Sequence, residues 1–136
     1  MNAVPAPQTL VDGATAIVVA TATRQISREL VEFRVEEIVR GPVTPLLLIG
    51  GTLTGEDDFN DRASPYDFVR PTGRRGSCFT REYRAGARFL LLLKQQPDGS
   101  LTPYWEALAP TNEQLHPGGD PWLTAVRRFV TAAARR

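Results

Sequence analysis

The sequence is poor in the residues that most often carry disulfides and metal sites. It contains one cysteine, Cys78, and one histidine, His116. A lone cysteine excludes an internal disulfide, and a zinc site of the usual kind would need several carboxylates to complete its ligands. We therefore expect neither a metal nor a cofactor. Cys78 can be a buried, inert thiol or a reactive or intermolecular one, because Arg74, Arg75 and Arg81 lie nearby in the sequence and favour the thiolate at an open site.

Sequence motifs of catalysis are also lacking. His116 lies in a loop-like stretch without a nucleophile motif of the G-x-S-x-G type, and a surface position is expected for it. Residues 73–77 lack the lysine of a phosphate-binding loop. Residues 57–61 are acidic but lack the glycine and the final glutamate of an EF-hand, which favours a solvated loop. The sequence therefore indicates a protein that is not an enzyme.

Neither a strong net charge nor a long apolar run is present. The formal net charge is +1, so the whole molecule does not have the charge of a typical nucleic-acid binder. Arginine accounts for all but one of the 16 basic residues, which a GC-rich genome explains as readily as a binding surface. No apolar segment approaches the roughly 20 residues that a membrane-spanning helix needs. A membrane protein is therefore not expected.

The first seven residues bear on where the protein acts. They lack the basic start and the apolar stretch of a signal peptide. They resemble instead the small, Pro-rich segment that often follows a cleaved signal. We expect a periplasmic or secreted protein whose signal peptide has been removed. If Met1 is the native start, a cytoplasmic protein is expected.

One apolar stretch predicts the centre of the fold. Residues 88–94, RFLLLLK, form a short apolar run with a charge at each end, and the turn sequence QPDGS follows. A run of this length closed by such a turn favours a central strand over a helix. Both faces of this strand are apolar, so we expect both to be covered. A small barrel with a helix packed outside it satisfies that requirement.

Four further strands are predicted, over residues 14–23, 30–40, 45–54 and 101–108. The second alternates most clearly, with Val31, Phe33 and Val35 on one face and charged side chains on the other. Glu37 breaks that alternation, which indicates either a bulge or an exposed barrel end. The pair Gly50-Gly51 predicts a kink in the third strand. Residues 24–29 and 109–119 are predicted as connections.

The remaining segments are a long loop and a helix. Residues 55–87 show no periodicity, and a loop of this length is commonly functional or mobile. Residues 120–135 predict an amphipathic helix, with Asp120 as its N-cap and Trp122 and Phe129 on its apolar stripe. The sequence as a whole predicts one domain over residues 1–136. Its fold class is mainly β, a five-stranded antiparallel OB-like barrel with a long insertion between strands 3 and 4 and a C-terminal amphipathic helix.

Charge in the long loop is segregated. Residues 56–67 carry five acidic side chains against Arg62, and residues 70–88 carry six arginines against Glu82. The two halves can pair with each other, or the basic half can face a partner. Aromatic side chains lie among these charges and can attach the loop to the body, Tyr83 among them. The predicted partner-binding residues are Tyr66, Phe68, Arg70, Arg74, Arg75 and Arg81.

Several segments resemble a known superfamily. They are AIVVATAT at residues 16–23, VEFRVEEIVRGPV at residues 31–43, Cys78-Phe79, and GARFLLLLK at residues 86–94. Together they are similar, over about residues 14–94, to bacterial members of the netrin-like superfamily, relatives of the tissue inhibitors of metalloproteinases. The resemblance implies an OB-like barrel in an exported protein that works by binding. Those inhibitors place an N-terminal cysteine on the protease zinc, whereas Asn2 and Ala3 stand here, so that mechanism does not transfer.

The sequence therefore predicts a non-enzymatic binding module whose partner is a protein. The alternative is an OB-fold module that binds an oligonucleotide or a glycan, using the basic residues 70–88 together with Tyr104 and Trp105. The near-neutral net charge disfavours nucleic acid, because such binding depends on the release of counterions. The identity of the partner and the oligomeric state stay open.

Overall fold

An antiparallel sheet and a helix make up most of the described part of the chain. The computed structural model describes residues 11–57, 59, 82–103 and 112–134. These residues contain eight strands and a long helix, preceded by a helical turn at residues 11–13. In chain order they are β1 (Ala16–Ser27), β2 (Leu30–Arg40), β3 (Leu46–Gly50), β4 (Thr52–Thr54), β5 (Glu82–Arg84), β6 (Arg88–Gln95), β7 (Leu101–Pro103), β8 (Asn112–Gln114) and α1 (Pro121–Ala134).

Six of these strands form one sheet. Its order is β3-β2-β1-β6-β7, with β8 also paired to β6, and every pairing in it is antiparallel. β7 and β8 follow one another along the same edge of β6, because β7 pairs with residues 93–95 and β8 with residues 89–91. β4 and β5 form a separate parallel pair. The prediction of a mainly β fold with an antiparallel sheet and a C-terminal helix is confirmed.

The sheet is strongly curved. β3 and β7 lie at opposite ends of the strand order, yet some of their Cα atoms come within 8 Å of one another. The β1–β2 pairing contains four register shifts, and bulges of this kind bend and twist a ribbon. The curved sheet therefore has an inner face, enclosed by its own strands, and an outer face.

Strand β6 is buried on both faces, as the sequence predicts. Its side chains at residues 89–93 have no exposure to solvent. Leu90 and Leu92 pack with Ile17, Val19 and the apolar residues of α1, in what we call the helix-side core. The alternate side chains of β6 face a second cluster built with β1, β2, β3 and β5, which we call the inner core. Burial of each large apolar side chain contributes on the order of 1.5–3 kcal/mol to stability.

Three aromatic rings anchor the inner core. Phe33, Tyr83 and Phe89 are fully buried and pack edge-to-face, with ring centroids 4.9, 5.1 and 6.0 Å apart. They come from β2, β5 and β6, so each ring belongs to a different strand. Tyr83 thus attaches the C-terminal end of the long 55–87 segment to the body of the fold, as predicted.

A bulge in β2 explains the irregular position of Glu37. Ala20 pairs with Val35, whereas the neighbouring Val19 pairs with Glu37, so Glu36 is an extra residue on β2. Residues that are directly opposite in a sheet lie on the same face. Val35 accordingly packs against the inner core, and Glu37 lies on the helix side with Val19. The sequence left a bulge or an exposed barrel end as explanations for Glu37, and the bulge is confirmed.

The predicted kink at Gly50-Gly51 is a break between β3 and β4. The side-chain amide of Gln25 holds both sides of it. Its Nε2 donates to the carbonyl oxygen of Gly51 at 3.0 Å, and its Oε1 accepts from the backbone N–H of Leu53 at 2.8 Å. One polar side chain of β1 therefore fixes the point at which the chain leaves the sheet.

Helix α1 covers the outer face of β1 and β6. Asp120 is its N-cap, since Oδ1 accepts from the backbone N–H of Trp122 at 2.8 Å and of Leu123 at 3.3 Å. Trp122, Leu123 and Val126 are buried, and Phe129 is partly buried against the helix-side core. The predicted cap and the predicted apolar stripe are both confirmed.

Three predicted connections are wrong in part. β1 extends through Ser27, although a polar connection is predicted from residue 24, because Thr23 and Arg24 pair across the strands with Glu32. β5 lies inside the predicted 55–87 loop, and β8 lies inside the predicted 109–119 connection. Both strands have three residues, which is too short for alternation to be read. Of the predicted strand over 101–108, the first three residues form β7, and the others lie outside the described residues.

Candidate functional site

The six predicted partner-binding residues all lie outside the described residues. They are Tyr66, Phe68, Arg70, Arg74, Arg75 and Arg81. Their role stays a prediction, and so do the alternatives for Cys78. Both ends of the same segment are described, however, at residues 55–57 and 59 and at residues 82–87. These two ends meet at one cleft.

The cleft has a volume of about 600 Å³. One wall is the turn from β5 to β6, over residues 84–88, and the other is the chain from Gln114 to Gly118. Asp57 and Phe59 complete the lining. The lining therefore combines two arginines, a carboxylate, a side-chain amide, a histidine and an aromatic ring.

The tight turn at residues 84–88 puts two arginines into the cleft lining. Gly86 has a φ of 79°, which favours glycine, and its N–H donates to the carbonyl oxygen of Ala22 at 2.8 Å. The N–H of Ala87 donates back to the carbonyl oxygen of Arg84 at 3.1 Å. Arg84 ends β5 and Arg88 begins β6, so both side chains line the same space.

Arg84 is held by Asp57. One guanidinium nitrogen, Nη1, donates to Asp57 Oδ1. The same oxygen accepts from Nε2 of Gln114, a buried residue of β8, at 2.9 Å. The hydrogen bonds from Gln114 and then from Arg84 hold the pKa of Asp57 below its usual value. This ion pair joins the acidic half of the 55–87 segment to its basic half, which was one of the two alternatives for its segregated charge.

Arg88 is held by Glu36, the extra residue of the β2 bulge. Its Nε donates to Glu36 Oε2 at 2.9 Å, and Thr21 Oγ1 donates to Glu36 Oε1 at 2.7 Å. The hydrogen bond from Thr21 is the largest cause that lowers the pKa of Glu36, and Arg88 and Arg34 lower it further. The hydrogen bond from Nε to this ionised carboxylate therefore orients the Arg88 side chain.

About one-third of the His116 side chain is exposed, and its ring lines the cleft. Its ring stacks on Phe59, with centroids 4.8 Å apart and planes 21° apart. Its Nδ1 lies 2.7 Å from Asp120 Oδ2, which also accepts from the backbone N–H of His116 at 3.0 Å. Phe59 further forms an isolated parallel bridge with Gln114. The stacked pair of rings thus forms an ordered wall of the cleft.

The chemistry that the cleft offers is recognition of a polar group beside a planar apolar surface. In the described part of the chain, no group of three or more histidine, cysteine or carboxylate side chains could hold a metal ion. A second groove, of about 340 Å³, lies between β3 and the hairpin near residues 95–101. It is lined by the exposed Leu46 and Leu48 and by neutral side chains. Of these two cavities in the described part of the chain, the cleft is the better candidate, because it combines charges with an aromatic wall.

The sequence indicates the region of the cleft but few of its individual residues. The charge segregation of residues 55–87 indicated this region, and the pairing of its two halves was anticipated. Arg88 carries only the signal of the basic stretch 70–88, and Gln114 and Phe59 carry none. Each becomes part of the site only when distant strands are brought together. Glu36 did carry a signal, since the irregular alternation beside it marks the bulge that places it.

Comparison with known proteins adds no relative from which a function could be transferred. The sequence matches no protein-family model and no curated protein. No helix among the described residues is both long enough and apolar enough to cross a membrane.

Proposed function

We propose that this chain is a non-enzymatic binding module that engages a protein partner through the cleft. The observation that carries the proposal is the pairing of Arg84 with Asp57 and of Arg88 with Glu36 around a stacked aromatic wall. Side chains held in this way lose little freedom when a partner binds, which favours recognition. The segment that carries the six predicted partner-binding residues enters and leaves beside this cleft, at Asp57 and Phe59 and at Arg84.

The proposed scaffold is an OB-like barrel of the netrin-like kind. Two features support it: the bulged β1–β2 ribbon and the approach of β3 to β7, which together indicate the curvature of the sheet. The helix that covers one outer face is compatible with the same scaffold. We further propose that the protein is bacterial and exported, which rests on the resemblance.

Protein is favoured over nucleic acid because the arginines of the cleft are matched by carboxylates. Asp57 and Glu36 offset the charge of Arg84 and Arg88, so the cleft does not form a strongly basic groove. A site that releases many counterions from a nucleic acid needs such a groove. A glycan would use the same aromatic wall and is tested alongside.

The proposal is tested by capture on the immobilised protein. Proteins retained from an extract of the source cells are quantified for the wild type, for Phe59→Ala with Arg84→Ala, and for Arg128→Ala as an exposed control on α1. We expect the control to retain the same proteins as the wild type and the double variant to lose them. Equal retention by all three would contradict a role for the cleft.

A second measurement separates the classes of ligand. Binding of a fluorescent single-stranded oligothymidylate and of a glycan array is measured at low salt. Under the proposal neither binds. An oligonucleotide affinity that falls steeply with salt would replace the protein partner with nucleic acid, and selective binding on the array would replace it with a glycan.

A further inference from the structure

Arg88 combines a fixed orientation with unused donors. Its Nε is occupied by Glu36, which is itself held by Thr21. Within the described residues, no hydrogen-bond partner is found for its two terminal nitrogens, and about half of its side chain is exposed. Two terminal guanidinium nitrogens form the fork that binds a carboxylate or a phosphate in a bidentate manner. The fork belongs to a residue that lines the cleft.

Arg84 adds a second set of donors on the same wall. Its Nη1 is bound to Asp57, while within the described residues its Nε and Nη2 have no partner. The two arginines lie at the two ends of the turn fixed by Gly86. Both arginines therefore offer donors to an anionic group bound in the cleft.

The opposite wall of the cleft favours a particular kind of group next to the anionic group of the ligand. Phe59 and His116 present stacked rings, and Pro117 lies beside them. A flat or apolar group packs well against such a surface. Asp57 also lines the cleft and repels a second negative charge, so a group with a single charge fits better than a highly charged one.

We propose that the cleft binds the carboxylate of an acidic peptide segment in the fork of Arg88, with a neighbouring apolar side chain of that segment against Phe59. This inference rests on the proposed function and names the chemistry of its partner. The carboxylate can come from an aspartate or glutamate side chain or from a chain terminus. The two terminal nitrogens of Arg88 donate to the carboxylate, and Arg84 contributes a further donor. Glu36 orients the Arg88 guanidinium through its Nε.

The test is an NMR titration of the ¹⁵N-labelled protein with capped dipeptides. The probes are acetyl-phenylalanyl-glutamate amide, its glutamine analogue, acetyl-glycyl-phenylalanine with a free terminal carboxylate, and inorganic phosphate. We expect the glutamate probe to shift the amides of residues 84–88 and 114–116 saturably, with a dissociation constant roughly in the millimolar range for so small a ligand. The glutamine analogue should bind about tenfold more weakly, because a charge-assisted bidentate contact is lost.

Variants locate the contact. Arg88→Gln should weaken the glutamate probe about tenfold, and Arg88→Lys should restore part of that loss, because it keeps the charge but not the fork. Arg34→Gln is the matched control: it removes the same charge beside the same Glu36 but does not line the cleft. The unliganded spectrum of each variant reports whether the fold is retained.

The outcomes distinguish a side-chain carboxylate from a terminal one. They also distinguish failure of the carboxylate inference from failure of the proposed function. Binding of the glutamate probe alone assigns a side-chain carboxylate, and binding of the free-terminus probe alone assigns a chain terminus. Equal binding of the glutamine analogue, an equal loss in Arg34→Gln, or binding of phosphate only would overturn the inference. If no probe binds in the NMR titration but the capture of proteins still depends on the cleft residues, the proposed function stands. Only the inference that the cleft binds a carboxylate is then rejected.

Discussion

Arg127 of α1 and Glu37 of β2 are joined by an ion pair that uses two guanidinium nitrogens. Nε donates to Glu37 Oε2 at 3.0 Å, and Nη2 donates to Oε1. The hydrogen bond to Glu37 raises the pKa of Arg127 above its usual value. The contact exists because the bulge at Glu36 turns the next residue to the helix side of the sheet. It aligns helix and sheet at a position that solvent still reaches.

We expect this pair to add little to stability. Both side chains are more than one-third exposed, and exposed pairs contribute about 0–1 kcal/mol. Arg127→Gln should therefore lower the free energy of unfolding by less than about 1 kcal/mol. Leu123→Ala, on the buried side of the same helix, should cost about 2–5 kcal/mol. Urea denaturation of both variants checks this, and a larger loss for Arg127→Gln would contradict it.

The turn after β2 should tolerate no side chain at Gly41. Its φ is 87°, and a Cβ there would lie 2.6 Å from the carbonyl oxygen of Thr15. Gly99 is the matched control, with a φ of 90° and open space around its Cβ position. Gly99→Ala should cost about 1–2 kcal/mol through its backbone conformation alone. Gly41→Ala should cost at least about 1 kcal/mol more, because backbone must move. Equal midpoints in thermal denaturation would show that no clash exists.

Asp120 should make the helix cap sensitive to acid. Burial raises its pKa, but hydrogen bonds from His116, Trp122 and Leu123 outweigh burial and leave the pKa below the usual 3.8. A lowered pKa in the folded state stabilises the fold above the unfolded pKa, and that stability is lost as the pH falls through the folded value. The stability difference between wild type and Asp120→Asn should therefore shrink from pH 5 downward. Denaturant titrations at several pH values measure it, and a constant difference would contradict the assignment.

Much of the fold could be predicted because its longest elements have a recognisable pattern within their own residues. The apolar run of β6, the alternation of β2 and the capped stripe of α1 each carry a periodic signal. β5 and β8 do not, because three residues are too few for a period, and their pairing partners are far away in the sequence. The extension of β1 was hidden for a different reason: its polar end is held by cross-strand pairs with Glu32.

The candidate site was harder to foresee than the fold. The sequence marks Arg88 as the charged end of an apolar run and as one of six arginines in the basic stretch 70–88, but its link to Glu36 spans 52 positions. Gln114 and Phe59 lay in stretches without pattern. Nothing local in the sequence indicates that the partly exposed His116 contacts both Asp120 and Phe59. A site assembled from several strand ends becomes visible only after those strands have been paired.

The order of elements along the chain has a consequence for biosynthesis. β1 leaves the ribosome early and its partner β2 follows at once, but β6 and α1, which complete its enclosure, lie more than 60 residues later. Until both have been translated, the apolar faces of β1 have no lasting cover. Folding dominated by such distant contacts is slow, and the nascent chain is open to aggregation in the meantime. Residues 16–22 of β1, which are buried in the finished protein, thus keep an uncovered face until the last helix has been translated.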